Sequence, residues 1–89
     1  MNTEDIEKFF EKKATLNEDY VKISFRQREG FYGLFLKDAD YSYLKAKNFW
    51  RIVPQNQLEA YKATKNGNLA RIFNGAEFSK LSTYTESFD

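Results

Sequence analysis

Tyr61 and Lys65 stand four residues apart in the stretch AYKATKNGNLA, residues 60–70. On a helix that spacing puts an ammonium beside a phenol. Carboxylates, Lys, Tyr and hydroxyls are the only groups in this chain that could carry catalysis. Asp38 and Asp40 form a second candidate, two carboxylates able to hold Mg²⁺ or to divide acid and base roles, although Asp in a turn between strands also serves local hydrogen bonds. The rest of the chemical inventory is narrow. The chain has no Cys, which excludes disulfides and thiolates, and no His, which excludes imidazole bases and most transition-metal sites. No nucleophile is specified, since an activated serine here would need a lysine as its base.

The elements that must position these groups are few. Eighty-nine residues bury roughly 60–65% of their extended surface, which allows one core and leaves no room for a second. The expected organisation is a single small domain over residues 1–82 with a frayed acidic tail at 83–89. Apolar residues make up 42% of the chain, yet no apolar run approaches the length of a membrane span. The start MNTEDIEKFF is acidic and lacks the apolar segment of a secretory signal, so a cytoplasmic location without membrane contact is expected. Net charge is +1, but unevenly laid out. Residues 1–20 carry six acids against three bases, and residues 21–53 carry seven bases against three acids. The basic middle permits an anionic partner without demanding one.

Residues 3–13 read as a helix, capped by Asn2 or Thr3, with Glu4 and Asp5 at its positive end and Ile6, Phe9 and Phe10 on one face. From Tyr20 the period changes to two: Val21, Ile23 and Phe25 alternate with Lys22, Ser24 and Arg26 as in a half-buried strand. The turn QREG and the run FYGLFL (31–36) complete a hairpin, in which Gly33 marks a bend. KDADYS (37–42) reads as a turn and NFWRIV (48–53) as a third strand ended by Pro54. Residues 56–66 read as a short helix, with a strand as the alternative. LARIF, then Asn74-Gly75, then AEFSKLS predict a tight hairpin. The expected fold class is α+β, mainly β: an N-terminal helix plus a strongly bent antiparallel sheet of about five strands closing toward a small barrel.

The Tyr61–Lys65 spacing resembles the catalytic pair of the short-chain dehydrogenases. That resemblance implies a nicotinamide cofactor, which needs a Gly-rich phosphate loop at a helix N-terminus within a parallel sheet. The four glycines, Gly30, Gly33, Gly67 and Gly75, form no such loop. Tyr41 to Lys45 repeats the pattern, which chance readily supplies in a chain with six tyrosines. The expectation is therefore no catalytic residue, no cofactor and no metal, with Tyr61 packed and Lys65 solvated.

The order of helix, bent hairpin, further strand and final ARIFNGAEFSKLS resembles the Sm-like proteins, including their Hfq-like branch. Gly33 and Asp40 stand where the first Sm motif has its glycine and aspartate, and Phe73, Asn74 and Gly75 precede the last strand as in the second, with Asn74 in place of an arginine. The resemblance spans residues 3–82 with an insertion near 54–68, and it implies a small barrel, RNA as ligand and assembly into rings. An SH3-like barrel would satisfy much of the same pattern.

The residues themselves mark one binding segment. YSYLKAKNFWR (41–51) interleaves Tyr41, Tyr43, Phe49 and Trp50 with Lys45, Lys47 and Arg51, the mixture by which aromatics stack on bases while cations neutralise phosphates. Trp50 and Ile52 face one way and Phe49, Arg51 and Val53 the other, so one large aromatic belongs to the core. Together with Arg71 and Asn74, the residues Tyr41, Tyr43, Lys45, Lys47, Trp50 and Arg51 make the candidate nucleic-acid or partner surface of a non-enzymatic module. The alternative is a protein-interaction or structural subunit. Sixteen aromatics and short strand edges invite association, and the Sm-like resemblance implies a ring of copies paired through strands 48–53 and 69–82. Lys47, Arg71, Glu77 and Lys80 near those edges would instead keep the chain single.

Overall fold

The computed structural model describes residues 1–83. Helix α1 (Thr3–Lys12) starts where the Asn2 side chain accepts the Asp5 N–H, and its acidic first turn suits the positive end of the helix dipole. Ile6 and Phe9 are buried on one face, and Phe10 stacks against Phe35 at 4.7 Å between ring centroids.

Strands β1 (Tyr20–Phe25), β2 (Phe31–Phe35), β3 (Phe49–Pro54), β4 (Arg71–Asn74) and β5 (Phe78–Thr83) form one antiparallel sheet in the order β4-β3-β2-β1-β5. In β1 the predicted alternation holds, with Val21, Ile23 and Phe25 buried. Those residues join Ile6, Phe9, Phe35, Trp50, Ile52, Phe78 and Leu81 in the main core under α1. On the other face Leu34, Leu36 and Val53 pack with Leu58 of helix α3 (Leu58–Thr64), which follows a 3₁₀ turn at Gln55–Gln57 and ends at Lys65 in the left-handed region. The short helix expected over 56–66 is thus present as the 3₁₀ turn and α3 over 55–64, and the strand alternative is not. Gly33 is needed for close approach: a Cβ there would stand 2.6 Å from Ile52 Cγ2.

Three expectations are corrected. The stretch 37–42 is a turn only as far as Asp40, because helix α2 (Tyr41–Ala46) begins next and drives Leu44 into the interior. The Asn74-Gly75 hairpin is absent. Gly75 does not have positive φ, and Asn74 instead caps a 3₁₀ turn (Gly75–Glu77) by accepting the Ala76 N–H. Gly75 is required here because a Cβ would collide with Asn48 Oδ1 and lie 2.8 Å from both Ile6 Cδ1 and Trp50 Nε1. Consequently β4 and β5 occupy opposite edges of the sheet and do not pair, so the sheet is not closed into a barrel. It is curled nonetheless: Phe73 on β4 lies 6.1 Å from the ring of Phe25, which pairs with β5. No described helix is long and apolar enough to cross a membrane.

Candidate functional site

The sequence-predicted residues separate into three places. On α2, Tyr41 is half-buried in a T-shaped contact with Trp50, and Lys37 and Lys45 stand over its face at 5.6 and 5.3 Å. Burial pushes the Tyr41 phenol pKa up, while Lys45 works against it. Lys45 is itself bound to Glu7 at 2.6 Å, and that hydrogen bond raises its pKa. Tyr43 is 64% exposed, and Lys47 both donates to its hydroxyl at 2.9 Å and lies 4.5 Å from its ring centroid. These lysines therefore already contact rings of their own chain. The pattern is general: each described tyrosine carries a lysine within 6 Å of its ring, with Lys62 on Tyr20, Lys22 on Tyr32 and Lys65 on Tyr61. Tyr61 also packs on the second core, and Lys65 is exposed above it.

The second place is internal. Trp50 is 2% exposed, its indole donating to Asn48 Oδ1 at 2.8 Å, so it offers no stacking surface. Arg51 donates to Asp40 Oδ2 at 2.5 Å, with Asp38 3.7 Å away, and is neutralised by the carboxylates that sequence reading placed in a turn.

Arg71 and Asn74 occupy the third place, and there they do come together. They line a groove of about 1010 Å³ beside edge strand β4, where Phe31 and Phe73 lie 5.5 Å apart and Phe49 adds a third ring. Side-chain amides of Gln55, Asn56 and Gln57 stand along it, with Arg28 on the β1–β2 turn. Arg28 caps the aromatic wall, its guanidinium carbon 5.0 Å from the Phe25 centroid and 5.8 Å from that of Phe31. A smaller cavity of about 380 Å³ adjoins, lined by Phe25, Arg26, Gln27, Arg28, Ala76 and Glu77. Arg26 is anchored to its far wall, donating its N–H to the Glu77 carbonyl and its Nε to the Ala76 carbonyl.

The arginines at this end differ from Arg51 in lacking a carboxylate partner among the described residues. Among the described residues the ion pairs are Lys45 with Glu7 and Arg51 with Asp38 and Asp40. Arg26, Arg28 and Arg71 have none. Two arginines on an aromatic-walled groove and a third in the adjoining cavity, without carboxylate partners among the described residues, can receive phosphates, stack on bases and, through the amides, read base edges.

No family model, curated protein or solved structure matches the chain. The groove must therefore be read from its own chemistry. Sequence reasoning missed Arg26, Arg28, Phe31, Phe73 and the amides at 55–57 as site residues. One local signal was present: FRQREGF (25–31) sets two arginines between two phenylalanines across a turn. No group of three or more metal-ligating side chains occurs among the described residues.

Proposed function

We propose that this protein is a non-enzymatic binding module whose groove takes single-stranded nucleic acid. One observation carries the reading: Arg28 and Arg71 border a groove walled by Phe31, Phe49 and Phe73, Arg26 lines the cavity beside it, and none of the three has an ion pair among the described residues. Stacking contributes about 1–3 kcal/mol per base and is indifferent to base identity, whereas arginines hold the backbone and make binding salt-dependent. The strand order, the 3₁₀ turn between β4 and β5 and the Phe25–Phe73 contact support an Sm-like small barrel left open at that seam. RNA is the ligand that the Sm-like resemblance implies.

The test is a titration of labelled single-stranded RNA at low salt. Micromolar binding that weakens steeply with salt and is lost in an Arg28→Ala/Arg71→Ala variant supports the groove. Absence of binding at low salt would remove it.

A second reading has its own support. Ile72 is 51% exposed on β4, which lies at the edge of the sheet among the described residues. Such an edge suits pairing with another chain, including a second copy, and the module would then serve assembly. Sedimentation equilibrium at tens of micromolar separates the two: a monomeric mass rules out self-pairing.

A further inference from the structure

Among the described residues, Glu77 is the one carboxylate that lines both the groove and the small cavity beside it. Its position is unusual for a site that would hold phosphates, because a fixed negative charge there repels them. Its backbone is held firmly: the Glu77 carbonyl accepts the Arg26 N–H at 3.0 Å, and Glu77 closes the 3₁₀ turn just before Phe78, which is fully buried. The side chain is exposed and has no ion pair among the described residues, although Arg26 and Arg28 line the same cavity. A carboxylate that neither neutralises these arginines nor folds into the core has its acceptor oxygens available for a donor on a ligand.

A nucleic-acid backbone offers one such donor close to its phosphates, the ribose 2′-hydroxyl, and a carboxylate is well matched to it because it accepts only. Building on the nucleic-acid reading of the groove, we infer that the small cavity is a ribose-phosphate subsite in which Glu77 accepts from the 2′-hydroxyl. Arg26 and Arg28 hold the adjoining phosphate, and Phe25 forms the apolar wall against the sugar. The cavity's volume of about 380 Å³ accommodates one nucleotide unit, and it opens beside the groove where the next base meets Phe31. Glu77 thereby makes the module select RNA over DNA. In DNA the same carboxylate meets no donor and keeps only its repulsion for phosphate.

The two roles open to Glu77 predict opposite signs. If the carboxylate were only a nearby charge, its removal would strengthen binding of RNA and DNA alike. If it accepts from ribose, its removal weakens RNA while DNA binding holds or tightens. The experiment is fluorescence anisotropy with a single-stranded RNA of about twelve nucleotides and the all-deoxy strand of the same bases, against wild type, Glu77→Ala and Glu77→Gln. Wild type is expected to prefer RNA by roughly tenfold, the scale of one hydrogen bond to a charged group. In Glu77→Ala that preference falls to near unity through weaker RNA binding. Glu77→Gln retains an acceptor oxygen and the side-chain shape, so it keeps part of the preference and serves as the check that folding is unaffected. Equal binding of the two strands by wild type, or parallel tightening of both in the variants, overturns the ribose subsite and leaves the groove standing. No binding of either strand at low salt overturns both.

Discussion

The Gly75 N–H donates to the Asn48 carbonyl at 2.8 Å, joining the start of β3 to the turn before β5. Asn48 holds positive φ at 62°, accepts the Trp50 indole N–H and donates its side-chain amide to the Met1 carbonyl. This junction replaces the missing hairpin between β4 and β5. Gly75→Ala forces a methyl against Asn48, Ile6 and Trp50, and a loss of about 1–3 kcal/mol is expected. Urea unfolding followed by circular dichroism measures it, and an unchanged midpoint would refute the packing account.

Removing arginine from the groove differs from removing lysine from α2. Arg71→Ala is expected to weaken single-stranded RNA binding and to lower the salt slope by about one. Lys47→Ala leaves both nearly unchanged, because that ammonium already contacts Tyr43. Anisotropy titrations over a range of salt compare the two. Equal losses would return the interface to the α2 surface.

Phe49 lies half-buried at the groove and makes the best stacking probe, since Trp50 beside it is enclosed. Phe49→Ala should cost about 1–3 kcal/mol of RNA affinity with little change in salt slope. Binding at wild-type strength would remove the ring from the site.

Alkaline pH should destabilise the fold. Lys45, hydrogen-bonded to Glu7, and Lys62, hydrogen-bonded to Tyr20, hold their protons to higher pH in the folded chain than in the unfolded one. Tyr41, raised chiefly by burial, does likewise. Their contribution is complete below about pH 10, the ordinary range of these groups, and is lost as pH rises through the higher folded values. Thermal melts between neutral and strongly alkaline pH should show that decline, and Glu7→Gln should make it shallower by returning Lys45 toward its ordinary range. Equal slopes in both proteins would contradict the linkage.

Ile72→Lys tests the free edge. If β4 pairs with a second copy, the charge abolishes the heavier species seen in sedimentation; if the chain is single, mass and stability stay as they were, since Ile72 is half in solvent.

What could be read beforehand was whatever depends on neighbours in sequence. The alternation of Val21, Ile23 and Phe25 and the cap at Asn2 are decided within a few residues, and both are present. The turn at Asn74-Gly75 was misread because its geometry answers to Asn48 and Trp50, more than twenty residues earlier in the chain. Helix α2 escaped because KDADYS carries turn residues, while its helical continuation is anchored by burial of Leu44. The groove draws on residues from Arg28 to Glu77, whose convergence follows from strand order. Arg51 looked free only because the carboxylates that hold it stand eleven and thirteen positions earlier.

Trp50 is the only tryptophan in the chain, and its indole lies in the main core, bonded to Asn48 and in T-shaped contact with Phe35 and Tyr41. It is thus a built-in optical gauge of one junction. Its emission should lie to the blue in the native chain and move to the red when the seam between β3 and the turn at 75–77 parts. Ligand seated on the groove's phenylalanines should leave that emission almost untouched. A red shift on adding nucleic acid would therefore report the seam opening, a separate event from occupancy, and two signals from one titration would time them against each other.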